Sequence, residues 1–233
     1  MGSVVDKLNY LKETKTAIRN ALVEKGVEVA DSDTFRSYAQ KVTDIPAGGG
    51  DIDALIDGSI TEIISEATYI SSYKFNYCSK LTKAIFPNAT GINFNAFAEC
   101  TNLTEVSFPK VISIQYMAFY NCNSLVSVSF PILTKIIGSS RSGSFQNCKS
   151  LEVVSFPKIE NIGFYSFYNC TNLKTIYIGI DSDKVCSLGS NCFDNCNSLT
   201  DIYVPEALVD SYKNATNWSN YAEIIKAYTG EVS

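Results

Sequence analysis

The chain has 233 residues, 45% hydrophobic and 18% charged, with a net charge of −5 and a pI near 4.9. That balance suits a folded chain rather than a disordered one, and it leaves no basic footprint for nucleic acid or an anionic membrane. No apolar run approaches the ~18 residues that would span a bilayer, and the absence of histidine removes any His-based triad, general base or zinc ligand.

Met1 to Tyr10 lack the basic start and unbroken apolar core of a secretory signal. Residues 4 to 24 then read as a helix: Val4, Leu8, Leu11, Lys15, Ile18 and Leu22 follow alternating steps of four and three, an apolar seam broken only at Lys15. Gly26 is placed to end it, and Asp31-Ser32-Asp33 can cap a second, shorter helix bearing Phe35, Tyr38, Ala39 and Val42. The seam has two readings. It is buried within a helical hairpin, or it is a coiled-coil seam joining several copies, with Lys15 as the polar interruption. Both hold if the hairpin itself oligomerises.

Ile45-Pro46-Ala47-Gly48-Gly49-Gly50 is a linker, because proline stops the preceding helix and three glycines free the backbone. The division is therefore an attachment or oligomerisation module over 1–45, a linker over 46–52, a repeat array over 53–205 and a C-terminal cap over 206–233. Residues 53 to 74 read as an incomplete first coil that caps the array, with Ile60-Thr61-Glu62-Ile63 and Ile70 at repeat positions.

From Phe75 a unit Phe-x-x-Cys-x-x-Leu-x-x-Val-x-Phe-Pro recurs. Its anchors are Phe75/Cys78/Leu81, Phe97/Cys100/Leu103, Phe119/Cys122/Leu125, Phe145/Cys148/Leu151, Phe167/Cys170/Leu173 and Phe193/Cys196/Leu199. Successive Cys lie 22, 22, 26, 22 and 26 residues apart, so two units carry an extra four residues. This period, with Leu-x-x-Val-x-Phe in each unit, predicts a leucine-rich solenoid of short parallel strands. Leu103, Val106 and Phe108, like Leu151, Val154 and Phe156, alternate as the inward face of a strand. Proline at 87, 109, 131, 157 and 205 is expected to end the ladder and turn the chain. Ile92, Ile114 and Ile162 should reach the core from the opposite wall. Asn121, Asn147, Asn169 and Asn195 either form a hydrogen-bonded ladder or serve only as turn formers.

Six of the eight cysteines share one register position, which favours reduced, packed thiols over disulfides, whose Cβ geometry a uniform ladder rarely supplies. Cys192 takes the place of Ala96, Ala118, Ser144 and Ser166, a small core residue. Cys186 lies in an insertion and is the thiol expected at the surface. Beyond Pro205, two helices are expected: one from Pro205 to Tyr212, and one over Trp218 to Ala227 presenting Trp218, Tyr221, Ile224 and Ile225. Trp218 reads as a lid over the last coil.

The fold class is thus an α/β repeat: a leucine-rich-repeat solenoid, preceded by a helical hairpin and closed by a helical cap. Its candidate binding surface is the row of outward strand residues Ile85, Ser107, Ser129, Ser155, Tyr177 and Tyr203, with Lys83, Glu105, Ser127, Val153, Thr175 and Asp201 as the row beside it. Parallel stacking makes Tyr177 and Tyr203 neighbours, a pairing favoured at recognition surfaces. The loops at 138–143 and 179–184, expected to emerge on one side, are the competing site. Asp181-Ser182-Asp183 lacks the Gly and Glu of a calcium loop, so neither a metal nor a cofactor is expected.

The runs Phe119 to Pro131 and Phe145 to Pro157 resemble the BspA-like leucine-rich repeats, and Val204 to Lys213 followed by Trp218 is similar to their terminal cap. That resemblance implies a surface-displayed, non-enzymatic adhesion module that binds matrix proteins or other cells. The segments Tyr10 to Lys15, Lys25 to Val29 and Thr34 to Tyr38 resemble a short attachment module of tail or other virion proteins of phages infecting gut bacteria. Together these imply a virion component, in contact with other virion proteins, that presents its solenoid to a host surface protein or glycan. The alternative is a bacterial cell-surface adhesin.

Overall fold

The computed structural model describes residues 60–230, which fall within one compact unit, Gly58–Ser233. The helical seam Val4, Leu8, Leu11, Lys15, Ile18 and Leu22 and the glycine linker lie outside the described residues.

Each repeat makes one coil with a three- to five-residue strand on its front wall and a two-residue strand on its rear wall. The front strands are β1 (Glu62–Ile64), β2 (Lys83–Ile85), β4 (Glu105–Ser107), β6 (Ser127–Ser129), β8 (Val153–Phe156), β10 (Thr175–Ile178) and β12 (Asp201–Pro205). The rear strands are β3 (Gly91–Ile92), β5 (Ser113–Ile114), β7 (Lys135–Ile136), β9 (Asn161–Ile162) and β11 (Ser187–Leu188). All pair in parallel, and the rear wall is continuous in the order β3-β5-β7-β9-β11. Ile70 bridges Ile92, so the coil before Phe75 belongs to the array.

The front wall is discontinuous. β1-β2-β4 form one sheet, and β6-β8-β10-β12 with the terminal β13 (Ile225–Tyr228) form another. At the β4/β6 junction the amides of Val126 and Phe108 find no backbone acceptor among the described residues, whereas their counterparts Glu152 and Phe130 donate to the carbonyls of Val126 and Ser155. Val106, expected to be fully inside, is only half-buried at this junction, and Val126 is exposed.

The core is two columns of rings. Phe75, Phe97, Phe119, Phe145, Phe167 and Phe193 stack with centroids 5.0–5.6 Å apart. Phe86, Phe108, Phe130 and Phe156 form the second column at 5.8–6.1 Å. The leucines beside them are buried except Leu199, which is half-buried in the last coil. Beside the first ring column run the thiols. Each of Cys100, Cys122, Cys148, Cys170 and Cys196 donates its S–H to the carbonyl of the Phe one coil earlier, at 3.0–3.2 Å. All eight cysteines are free and buried.

The residue before each repeat Cys sits in the left-handed region, with φ of 58–64° at Tyr77, Glu99, Asn121, Asn147, Asn169 and Asn195. Asn tolerates that conformation better than most side chains, which makes it a turn former here. It also makes a partial ladder: Asn169 Nδ2 donates to Asn147 Oδ1 at 2.8 Å, and Asn121 Nδ2 to Glu99 Oε1 at 2.7 Å.

The C-terminal end departs from expectation at three points. Pro205 does not end the ladder, because it lies within β12, in register with Tyr228 of β13. The chain then makes a 3-10 turn (Glu206–Leu208) and helix α1 (Val209–Asn214). The second expected helix is a 3-10 helix over Trp218–Ile224, and Ile225–Tyr228 is the strand β13 instead. β-branched Ile225 enters the core here, and the free edge of β12 offers backbone partners that a helix would leave unpaired. Cys186, expected at the surface, is buried beneath this cap: its N–H donates to Tyr212 Oη at 3.0 Å, and Trp218 Nε1 donates to its carbonyl at 2.6 Å. Trp218 itself is fully buried against Phe193 and Tyr212, as a lid should be.

Candidate functional site

The front wall brings the outward row together by strand register. Ile85 pairs with Ser107, Ser129 with Ser155, Ser155 with Tyr177, and Tyr177 with Tyr203. Ser107 and Ser129, the two sides of the unbonded β4/β6 junction, are not paired. The row is thus two short rows, and the longer one carries the tyrosines. Ser155, expected to face solvent, is buried, because the large ring of Tyr177 stands at the same register on the adjacent strand. Ile85 is half-buried.

Tyr177 and Tyr203 stack with centroids 5.2 Å apart and planes 14° from parallel. Tyr228 of β13 meets Tyr177 edge-on, at 6.0 Å and 89°. Only the stacked pair was readable from the repeat. Tyr228 was missed because the strand that carries it breaks the period. The cluster is half-buried, and the hydroxyls of Tyr177, Tyr203, Ser129, Ser155 and Thr175 have no hydrogen-bond partner among the described residues.

Charges flanking this surface are paired. Lys226 binds Asp201, which holds the Asp201 carboxyl below its usual range. Lys174 meets Glu152 at 2.8 Å, and at the far end Lys83 meets Glu105 at 2.8 Å. Exposed pairs like these contribute little to stability. Their consequence is that the carboxylates of Glu152, just before β8, and Asp201, in β12, are each matched by a lysine.

The insertions do not form one competing site. Residues 138–143 leave the coil after rear strand β7, whereas 179–184 leave it after front strand β10, so they emerge at different corners. The rear wall has its own depression of about 280 Å³, lined by Ile137, Gly138, Gly163, Phe164, Ser187 and Gly189 among others. A Cβ on Gly163 would lie 2.1 Å from the Gly138 nitrogen, so close backbone approach requires glycine there.

The model of the BspA type leucine rich repeat region matches residues 68–179 and 113–227 in six copies, more than half of the chain. Among solved structures, a leucine-rich-repeat protein of T. pallidum is similar at 24% identity and a TM-score of 0.49, over 72% of this chain and 79% of that one. A leucine-rich-repeat protein of Bacteroides ovatus has 24% identity and a TM-score of 0.43, over 72% of this chain and 36% of its own. A leucine-rich cell surface protein of Faecalibacterium prausnitzii has 19% identity and a TM-score of 0.41, with coverage of 73% and 60%. A search of curated proteins finds no match. With stacked parallel coils, ring columns and a repeat match over most of its length, the chain belongs to the BspA-type leucine-rich-repeat family.

Proposed function

We propose that this chain is a non-enzymatic binding protein whose front wall engages a ligand on a cell surface. The observation that carries this reading is the tyrosine cluster of Tyr177, Tyr203 and Tyr228, set on a wall of small residues with its neighbouring charges already paired. Clustered aromatics are favoured where proteins recognise partners. Binding of the full chain to host cells tests it, with wild type compared to the double variant Tyr177→Ala and Tyr203→Ala. Reduced binding by a variant with unchanged circular dichroism and Trp218 emission supports the surface. Equal binding removes it.

For the particle that carries the chain, the reading is a phage tail or fibre component in contact with other virion proteins, supported by the resemblance of residues 10–38. Peptides of this chain should then be found by mass spectrometry in purified virions, and their absence would count against it. The family match favours the second reading, a bacterial surface adhesin. The apolar seam Val4 to Leu22 supports a homo-oligomer, and a monomeric mass at high concentration would exclude that.

A further inference from the structure

The ring of Tyr177 has two faces in different settings. β12 lies on one side of β10 and β8 on the other. One face of Tyr177 is covered by Tyr203 of β12, and Tyr228, from β13 beyond it, meets Tyr177 edge-on. The opposite face is turned toward β8 and β6, where the same register holds Ser155 and then Ser129. Serine is too short to fill the height of a tyrosine ring. The wall therefore drops from an aromatic face to two serines in one step. Ser155 is sheltered at its foot and Ser129 is exposed beyond, and neither hydroxyl has a partner among the described residues. Thr175, in register with Val153 and likewise without a hydroxyl partner among the described residues, flanks the step.

Resting on the reading of the front wall as a binding surface, we propose that this step is a subsite for one sugar ring of an uncharged glycan. A pyranose has an apolar C–H face and a rim of hydroxyls that both donate and accept. The aromatic face offers the first a stacking partner, and the serine and threonine hydroxyls offer the second a set of equal versatility. Charge decides between glycan classes. Glu152 and Asp201 are matched by Lys174 and Lys226, and the chain carries a net −5, so nothing here attracts a sulfated or sialylated chain and the overall field repels one. A protein partner would be expected to seek a flatter, wider apolar area than one step with a polar floor.

The test is an array of immobilised neutral oligosaccharides built on glucose, galactose, mannose and N-acetylhexosamines, alongside sulfated and sialylated counterparts, probed with the full chain. The expected result is binding to a neutral member that is insensitive to added salt. It should fall about tenfold in Tyr177→Ala, the loss of one stacking contact, and be kept in Tyr177→Phe. Ser129→Leu should also lose it, by filling the step while leaving both tyrosines in place. Preference for the charged counterparts overturns the inference. So does an array without binding when host cells still bind the chain through Tyr177 and Tyr203, an outcome that leaves the front wall as a protein-binding surface. Host-cell binding unaffected by the double tyrosine variant overturns both readings.

Discussion

At the scale of single residues, the thiol ladder sets how the protein responds to pH. Desolvation holds the thiols neutral: Cys78 is pushed up to about 11 and Cys148 to about 12, and Cys100, Cys122, Cys170, Cys186 and Cys192 are raised further or similarly by burial. In the unfolded chain a thiol ionises near pH 8.5, so above that pH the unfolded state has lost protons that the folded state keeps. Stability is therefore unaffected by these groups at neutral pH and falls as pH rises through about 8.5, by up to roughly 1.4 kcal/mol per thiol per pH unit. The urea midpoint under reducing conditions should stay level from about pH 7 to 8 and then drop steeply. Replacing Cys122 by Ala should soften the drop. A midpoint level to about pH 10 would refute this account. The register of these thiols was legible in the sequence because it repeats. The burial of Cys186 was not, since it depends on Tyr212 and Trp218, which close over it from 26 and 32 residues away.

At the scale of the coil, stability comes from each ring's neighbours above and below. Phe119 lies 5.3 Å from Phe97 and 5.0 Å from Phe145, with Phe108 and Phe130 of the second column 6.0 and 6.3 Å away. Phe119→Ala leaves a cavity shared by three coils, and the variant should lose about 3–5 kcal/mol in denaturant unfolding. A loss below about 1 kcal/mol would mean that the coils collapse around the gap. Period-two alternation made the front strands readable, and the Ile positions made the rear wall readable. The cap was only half legible. Trp218 reads as a lid, but Ile225 to Ala227 read as helix because nothing local to those residues announces that an open sheet edge awaits them.

Across the whole described array, the tyrosine cluster shares its solenoid with a structural discontinuity. The sequence placed Tyr177 beside Tyr203 because identical register positions stack. It hid the break between β4 and β6, because Val106 and Val128 fill the same repeat position as residues in unbroken coils. Hydrogen exchange should find it directly: the amides of Val126 and Phe108 should exchange well before those of Glu152, Lys174 and Thr200, which donate to the preceding coil. Uniform protection along the front wall would show that the two sheets are joined in solution.

This junction is spanned on the rear wall by β5–β7 pairing and inside by the Phe108–Phe130 stack. Such an arrangement behaves as a flexure. Curvature of the front can change at that one place while the strands on either side of it keep their register. Under a steady pull between the two halves, the front would gape there first and the rear seam would carry the strain.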